Sequence, residues 1–248
     1  MLKHPLFATV LAASAFVVPA VRAAVEFDVE TGGAWVGKAD VTIPSEGGTP
    51  FSMVDDLGGD EVQAYYRLRA NWLINDRHEV SALFAPLSFD FSGEFSDPVH
   101  FVGRDFAAGR PTTGKYTFNS YRLTYRYNFW RSENLTFGLG LTAKVRDAEI
   151  ELSQGGLTRS DSNVGVVPLI NFKLDWRFAP RWHLLFEGDA LAASQGRAED
   201  VMLAISHQAT DNLAVRVGYR ILEGGADNGD IDTFALFHYA MVGLTWRF

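Results

Sequence analysis

Cysteine is absent from this chain of 248 residues. Its absence excludes structural disulfides, thiol nucleophiles and cysteine-bound metal sites together. Beyond residue 23, no segment approaches the roughly 20 consecutive apolar residues of a membrane-spanning helix, so a helical membrane protein is also excluded. Basic residues are outnumbered, because 22 Lys and Arg face 30 Asp and Glu and give a formal charge of -8. This acidic balance argues against nucleic acid as a partner.

The first 23 residues have the organisation of a secretory signal peptide. Lys3 lies in a short basic start, an apolar run extends from Leu6 to Val18, and small residues follow. That run is too short to span a bilayer as a helix. We therefore predict cleavage after Ala23 and a single mature domain over residues 24–248.

The last ten residues, 239–248, alternate between two faces with a period of two, as a β-strand does. One face carries Ala240, Val242, Leu244, Trp246 and Phe248. About ten residues of this kind are enough to cross a bilayer as a tilted strand. This stretch and its final Phe resemble the C-terminal strand of Gram-negative outer-membrane β-barrels. The resemblance implies that the insertion machinery of the barrel recognises this strand.

In the rest of the chain, short runs of alternating apolar and polar residues are separated by connections that are by turns tight and long. Tight turns are predicted at 75–76, 130–134, 179–181 and 210–212, and long connections near 41–60, 93–114, 153–162, 194–199 and 225–233. Outer-membrane barrels have short periplasmic turns and long extracellular loops. The sequence therefore predicts an all-β, antiparallel, up-and-down transmembrane barrel of about ten strands. A lipocalin-like soluble barrel is the alternative.

Large aromatic residues favour the membrane over the soluble alternative, because they cluster on the apolar faces beside the predicted short turns. They are Trp72, Tyr127, Phe129, Trp176, Phe178, Trp182, Trp246 and Phe248. Aromatic girdles of this kind mark the interface between membrane and water. We expect a monomer in the outer membrane whose partners are membrane lipid and lipopolysaccharide.

The opposite, lumen-facing positions are rich in charge, with more basic residues than acidic ones. The predicted lumen network comprises Glu26, Asp28, Glu30, Arg67, Arg69, Arg122, Arg126, Lys173, Asp175, Arg177, Glu187, Arg216, Arg220 and Arg247, and the same face carries Glu79, Lys144, Arg146, Asp189 and Asp200. About ten strands leave room for side chains and little water. We expect opposite charges on adjacent strands to pair, with Arg247 meeting Glu26.

Three functional hypotheses remain open. The lumen charges brace a structural or surface-interaction barrel, or their basic excess supports a narrow, porin-like passage for small anions. In the third, an outer-membrane enzyme acts on lipid A or another envelope substrate. Its weak catalytic candidates are His183, Glu187 and Asp189, which share the lumen face and offer carboxylates beside an imidazole. No cofactor or metal site is predicted, since no pair of histidines has convincing ligand spacing.

Overall fold

The structure is a computed structural model that describes residues 23–59, 62–193, 196–227 and 229–248. Residues 1–22 of the predicted signal peptide lie outside these ranges, so cleavage after Ala23 stays a prediction. None of the helical residues in the described ranges forms a helix long and apolar enough to cross a membrane.

Most of the described chain is β-strand, and one short helix, α1 (Met53–Leu57), follows β2. The strands are β1 (Ala24–Thr42), β2 (Phe51–Ser52), β3 (Gln63–Leu73), β4 (His78–Ala85), β5 (Ser88–Glu94), β6 (Val99–Phe101), β7 (Arg104–Phe106), β8 (Pro111–Arg131), β9 (Leu135–Gln154), β10 (Leu157–Ala179), β11 (Trp182–Ala193), β12 (Gly196–Gln208), β13 (Leu213–Asp227) and β14 (Asp232–Arg247).

The strands close into an antiparallel barrel in which sequential strands are neighbours and β14 pairs with β1. β4 and β5 both pair with β8 and share one position in the wall. Pro86 separates them, as expected for a residue that cannot donate to a strand ladder. Counting that position once gives ten strands, which confirms the predicted fold class and strand number.

Antiparallel pairing about the four predicted tight turns also predicts which residues face each other, and three of the four hairpins have the predicted register. The exception within these three is the predicted pair of Phe178 with Trp182, because a bulge places Ala179 opposite Trp182. In the β10–β11 hairpin, for example, Leu174 faces Phe186 and Lys173 faces Glu187. The predicted β8–β9 register is wrong by two residues, since Tyr127 pairs with Leu139 and not with Phe137. Nearer the turn, a bulge between Tyr127 and Trp130 shifts the register by one further residue. Because the shift beyond the bulge is even, the side chains up to Tyr127 still point to their predicted sides.

The long connections are partly mispredicted, because several of them continue as strands. Segment 153–162 belongs mostly to β9 and β10, which Gly155 and Gly156 join in a two-residue turn. Both glycines have positive φ, 57° and 87°, the backbone that this hairpin turn requires. Residues 196–199 are likewise part of β12, and 225–227 are part of β13. Glycine and polar residues here mark exposed strand ends and not irregular loops.

Strand β8 shows why the barrel extends beyond the predicted membrane band. In its lower part, the outward side chains are apolar, from Tyr121 to Phe129, and the inward ones include Arg122 and Arg126. In its upper part, Thr113 to Asn119 carry polar side chains outward, while Tyr116 and Phe118 are buried inside. The side-chain alternation continues, but its polarity inverts. This pattern fits a strand that leaves lipid for water.

An apolar core therefore fills the upper end of the barrel. Helix α1 and the β6–β7 hairpin, both from predicted long connections, fold over this end. Their buried side chains include Met53, Leu57, Phe101 and Phe106. Phe89 of β5 stacks against Phe237 of β14 with ring centres 5.6 Å apart. The sequence prediction of a charge-packed lumen describes only the lower half.

Candidate functional site

Two buried carboxylates, Glu30 and Asp200, occupy the middle of the lumen. Arg220 donates to both of them, from Nε to Glu30 Oε1 at 2.9 Å and from Nη1 to Asp200 Oδ1 at 2.5 Å. Asp200 Oδ2 also accepts a hydrogen bond from Arg67 Nη2 at 2.8 Å, and Arg122 Nη2 lies 2.6 Å from the same oxygen. All five side chains are buried, so the charges persist by mutual pairing.

The ion pairs cross the barrel from wall to wall. Arg69 on β3 pairs with Glu187 on β11, and these strands lie on opposite sides of the closed sheet. Arg126 Nη2 lies 3.4 Å from the same Glu187, while its Nη1 lies 3.2 Å from Glu79. Lys173 Nζ lies 4.0 Å from Glu79. Adjacent-strand pairing, as predicted for Lys173 with Glu187, is replaced here by pairing across the lumen, because long side chains reach over a narrow interior.

Asp28 completes the network through a contact that skips a strand. Arg216 on β13 grips both carboxylate oxygens of Asp28 on β1, with its Nη2 donating to Oδ1 at 2.8 Å. Gly243 on the intervening β14 makes this reach possible, because a Cβ there would overlap the Arg216 guanidinium.

Residues near the lower mouth are less buried. Arg247 Nε donates to Glu26 Oε1 at 2.7 Å, which confirms the predicted pair. Arg177 is exposed and binds Asn134 at 2.9 Å from its Nη2. The ring Nδ1 of His183 is hydrogen-bonded to Asp175 Oδ1 at 2.6 Å.

The three weak catalytic candidates are not brought together. His183 contacts Asp175, Glu187 contacts Arg69 and Arg126, and Asp189 receives Arg122 Nη1 at 2.7 Å. Thr142 and Asn171 also donate to Asp189. Each carboxylate is thus held by arginine, and no free acid–base pair forms among these residues. The geometry gives the enzymatic hypothesis no support at this cluster.

The outer surface at the short-turn end carries all eight aromatic residues of the predicted girdle, and each is exposed. Trp130 belongs with them, at 57% exposure, although the sequence pattern places it in a predicted tight turn. The bulge in β8 turns it outward. A run of Asn128, Phe129 and Trp130 before a turn was the available signal, but it does not reveal a bulge by itself.

A cavity of about 420 Å³ lies where the ionic lower half meets the apolar upper half. Apolar side chains form most of its wall, among them Phe118, Val167 and Leu191. Lys144 and Arg146, two positions apart on β9, bring positive charge to it. Asp161 also lines the cavity, and burial together with the carboxylate of Asp230 raises the pKa of Asp161 above its ordinary value.

Lys144 differs from every other buried cation of the network. It is only 2% exposed, yet it makes no ion pair or hydrogen bond with the part of the chain that the structure describes. Its contact is with the ring of Phe118, whose centre lies 4.7 Å from Nζ. Arg146 is held by Asn163, at 2.5 Å from Nη2, while its buried Nε has no hydrogen-bond partner. The cavity thus has incompletely paired positive charge beside an apolar wall.

The barrel wall has a gap beside this cavity. β10 pairs with β9 from Leu157 to Trp176, but its pairing with β11 begins only at Ile170. Pro168 lies just above that point and has no N–H to continue the ladder. Val166 and Val167 on one side of the gap and Leu191 on the other all line the cavity, so the cavity reaches the gap.

In the described ranges, no group of three or more His, Asp or Glu side chains is arranged to hold a metal ion.

No protein-family model matches the sequence, and no curated protein matches it. Among solved structures, the outer-membrane protease OmpT from Escherichia coli aligns at a TM-score of 0.51 and 12% identity over 91% of this chain and 97% of that chain. The translocator domain of the autotransporter NalP from Neisseria meningitidis gives 0.43 and 12% over 94% and 90%. Ail of Yersinia pestis, in complex with sucrose octasulfate, gives 0.40 and 14% over 90% and 99%. The similarity to OmpT shows the fold alone, which is that of outer-membrane β-barrels, as predicted.

Proposed function

We propose that this protein is a non-conducting outer-membrane barrel that works by binding ligands at its upper, extracellular end. The observation that supports it is the ion-pair layer that spans the lumen, in which Arg69 reaches Glu187 on the opposite wall. A layer of buried, mutually paired charges resists opening, because separating any pair leaves a charge without compensation. The porin-like hypothesis of anion passage is therefore the weaker one.

Binding, rather than catalysis, suits the upper half. The carboxylates of the ionic layer are held by arginines, whereas the cavity above it offers incompletely paired cations, an apolar wall and an opening. Sites for small molecules are commonly concave, mostly apolar and supplied with a few polar groups. Their usual volumes, roughly 300–1,000 Å³, include the 420 Å³ of this cavity.

The proposed orientation places the short turns in the periplasm and the long connections outside the cell. Outward side chains contact membrane lipid and lipopolysaccharide, and the C-terminal strand is what the insertion machinery recognises. The monomer is sufficient for this role. Cysteine substitution tests the orientation, since the chain has no native cysteine. An impermeant maleimide added to intact cells should label Thr158→Cys and leave Asp211→Cys unlabelled, and the reverse pattern would invert the proposal.

Conductance across a planar bilayer tests the sealed lumen. The refolded wild-type protein should give no steady current, whereas the double variant Arg69→Ala, Glu187→Ala should give measurable openings, because it removes one wall-to-wall pair and preserves net charge. The matched control is Arg247→Ala, Glu26→Ala, which removes a pair at the exposed mouth. A steady wild-type current that is selective for anions would overturn the proposal and favour the passage hypothesis.

A further inference from the structure

We propose that the cavity beside Lys144 binds an amphipathic anion, an apolar chain ending in one carboxylate, and that this ligand enters sideways through the gap between β10 and β11. The inference rests on the proposed function, because a sealed lumen leaves the gap as the connection between the cavity and the membrane. It adds the chemical class of the ligand and its route.

Lys144 specifies the charge of the ligand. A buried ammonium is strongly disfavoured unless an anion or several acceptors compensate it. The ionic layer leaves it without such a partner, since Asp189 and Asp200 are taken by arginines. Arg146 adds a buried Nε with no acceptor among the described residues. An anionic head group placed between these side chains would accept hydrogen bonds from both.

The cavity wall specifies the tail. Phe118, Ile150, Val167 and Leu191 present apolar surface next to the cations. A small hydrated anion such as phosphate would leave this surface in contact with water or empty, whereas an apolar chain buries it at about 25 cal/mol per Å². One cationic end and one apolar wall therefore fit an amphipathic molecule better than a purely polar one.

The position of the gap specifies the route. Val166, Val145 and Tyr121 form one row across three neighbouring strands, because Val145 pairs with each of the other two. Toward the upper end of β8, Tyr121 is the last outward aromatic residue before the outer face becomes polar. This row marks the upper rim of the apolar band. Val164 and Val166 are 68% and 70% exposed beside the gap. The opening thus lies at the height where an amphipathic molecule resides in the outer leaflet, with its head at the interface.

A second interruption of the wall shows that such gaps can be covered. β5 is not paired with β3, but helix α1 packs against β5 and β1 beside this interruption, with Leu57 against Gly93. In the ranges that the structure describes, no helix or strand pairs with β10 above Ile170 on its β11 side. The two interruptions therefore differ in a way that favours access at β10.

Equilibrium binding of radiolabelled dodecanoate to the protein in lipid nanodiscs tests the head-group contact, with empty nanodiscs as the background. Wild-type protein should bind dodecanoate above background. Lys144→Met, which keeps the length of the side chain and removes its charge, should weaken binding roughly 10- to 100-fold. Lys115→Met removes an exposed lysine from the outer face of β8 and should bind as the wild type does.

Two further probes separate the head from the tail. Dodecanol has the same tail without the charge and should bind equally to wild type and Lys144→Met, while acetate should not compete with dodecanoate. A diazirine-bearing fatty acid should crosslink to peptides that contain Phe118 or residues 166–169. No binding above empty nanodiscs, equal dodecanoate binding by Lys144→Met and wild type, or effective competition by acetate would each overturn the ligand class.

Bridging the gap tests the route. Val166→Cys and Ala192→Cys place two thiols on the outer face at either side of it, and a bis-maleimide joins them. The crosslinked protein should take up dodecanoate at least about tenfold more slowly than the same variant blocked with a monofunctional maleimide. Equal uptake rates would overturn lateral access. A conducting wild-type lumen would instead overturn the proposed function, and the Lys144 comparison would still decide the ligand.

Discussion

Replacing Glu30 with Gln should destabilise the barrel far more than the same change at Glu26. Glu30 accepts from Arg220 at 2.9 and 2.8 Å and from Arg216 at 3.2 Å, and Arg67 Nε lies 3.8 Å away. Gln keeps the shape and loses the charge, which leaves three buried guanidinium groups undercompensated. Breaking a buried ion pair in this way typically costs about 3–5 kcal/mol.

Glu26 provides the matched control. It pairs with one partner, Arg247, whose side chain is 56% exposed, so water can replace the lost carboxylate. Exposed pairs contribute about 0–1 kcal/mol, and Glu26→Gln should fall in that range. The two variants thus differ in burial and in the number of partners, while the chemical change is identical.

Reversible urea unfolding of the protein in lipid vesicles, followed by tryptophan fluorescence, measures both changes. The free energy of unfolding should fall by about 3–5 kcal/mol for Glu30→Gln and by at most about 1 kcal/mol for Glu26→Gln. Equal, small losses for the two variants would refute the reasoning, because they would mean that water screens the lumen charges and that the ionic layer is not sealed.

Three further changes test other parts of the structure. Leu244→Arg puts a charge on the lipid-facing side of β14 and should cost about 2–4 kcal/mol in the same unfolding assay, whereas Thr113→Arg, above the apolar band, should cost little. Equal losses of unfolding free energy for the two variants would mean that the apolar, lipid-facing band lies at a different height on the barrel. Gly243→Ala should cost about 1–3 kcal/mol, since its Cβ would displace the Arg216 guanidinium from Asp28. Deleting Phe248 should reduce the heat-modifiable, folded fraction in outer-membrane preparations, and normal assembly would contradict recognition of the C-terminal strand.

The sequence was sufficient to predict the fold because strands that contact lipid must pair all of their backbone groups, and a closed barrel is the arrangement that achieves this. Alternation assigned Leu174 and Lys173 to opposite faces, and tight turns fixed their partners on β11. In β8, the same logic gave the right faces and the wrong register. The register is wrong because β8 continues to Arg131, so the connection to β9 is shorter than the predicted turn at 130–134. Alternation alone does not show where a strand ends.

The candidate site was only partly predictable. The charged lumen positions could be read from alternation, but their pairing could not. Arg69 passes over its neighbour in register, Asp28, and reaches Glu187 on the opposite wall. Cross-lumen distances depend on the diameter and stagger of the closed barrel, which one-dimensional spacing does not contain. The gap beside Pro168 was missed as well, although a proline within a strand indicates interrupted pairing.

The inversion of polarity along the strands explains why the cavity lies where it does. Below the rim at Tyr121, lipid requires an apolar outer face and the polar residues turn inward, where they survive only as ion pairs. Above it, water accepts the polar outer face and the interior becomes an apolar core. At the junction, the inward sequence on β9 passes from Lys144 and Arg146 to Ile150. A lysine at that level has arginines beneath it and apolar side chains above it, and no carboxylate in the described ranges forms an ion pair with it, although Asp161 lines the same cavity. A ligand whose polarity changes along its own length is the natural complement to such a boundary.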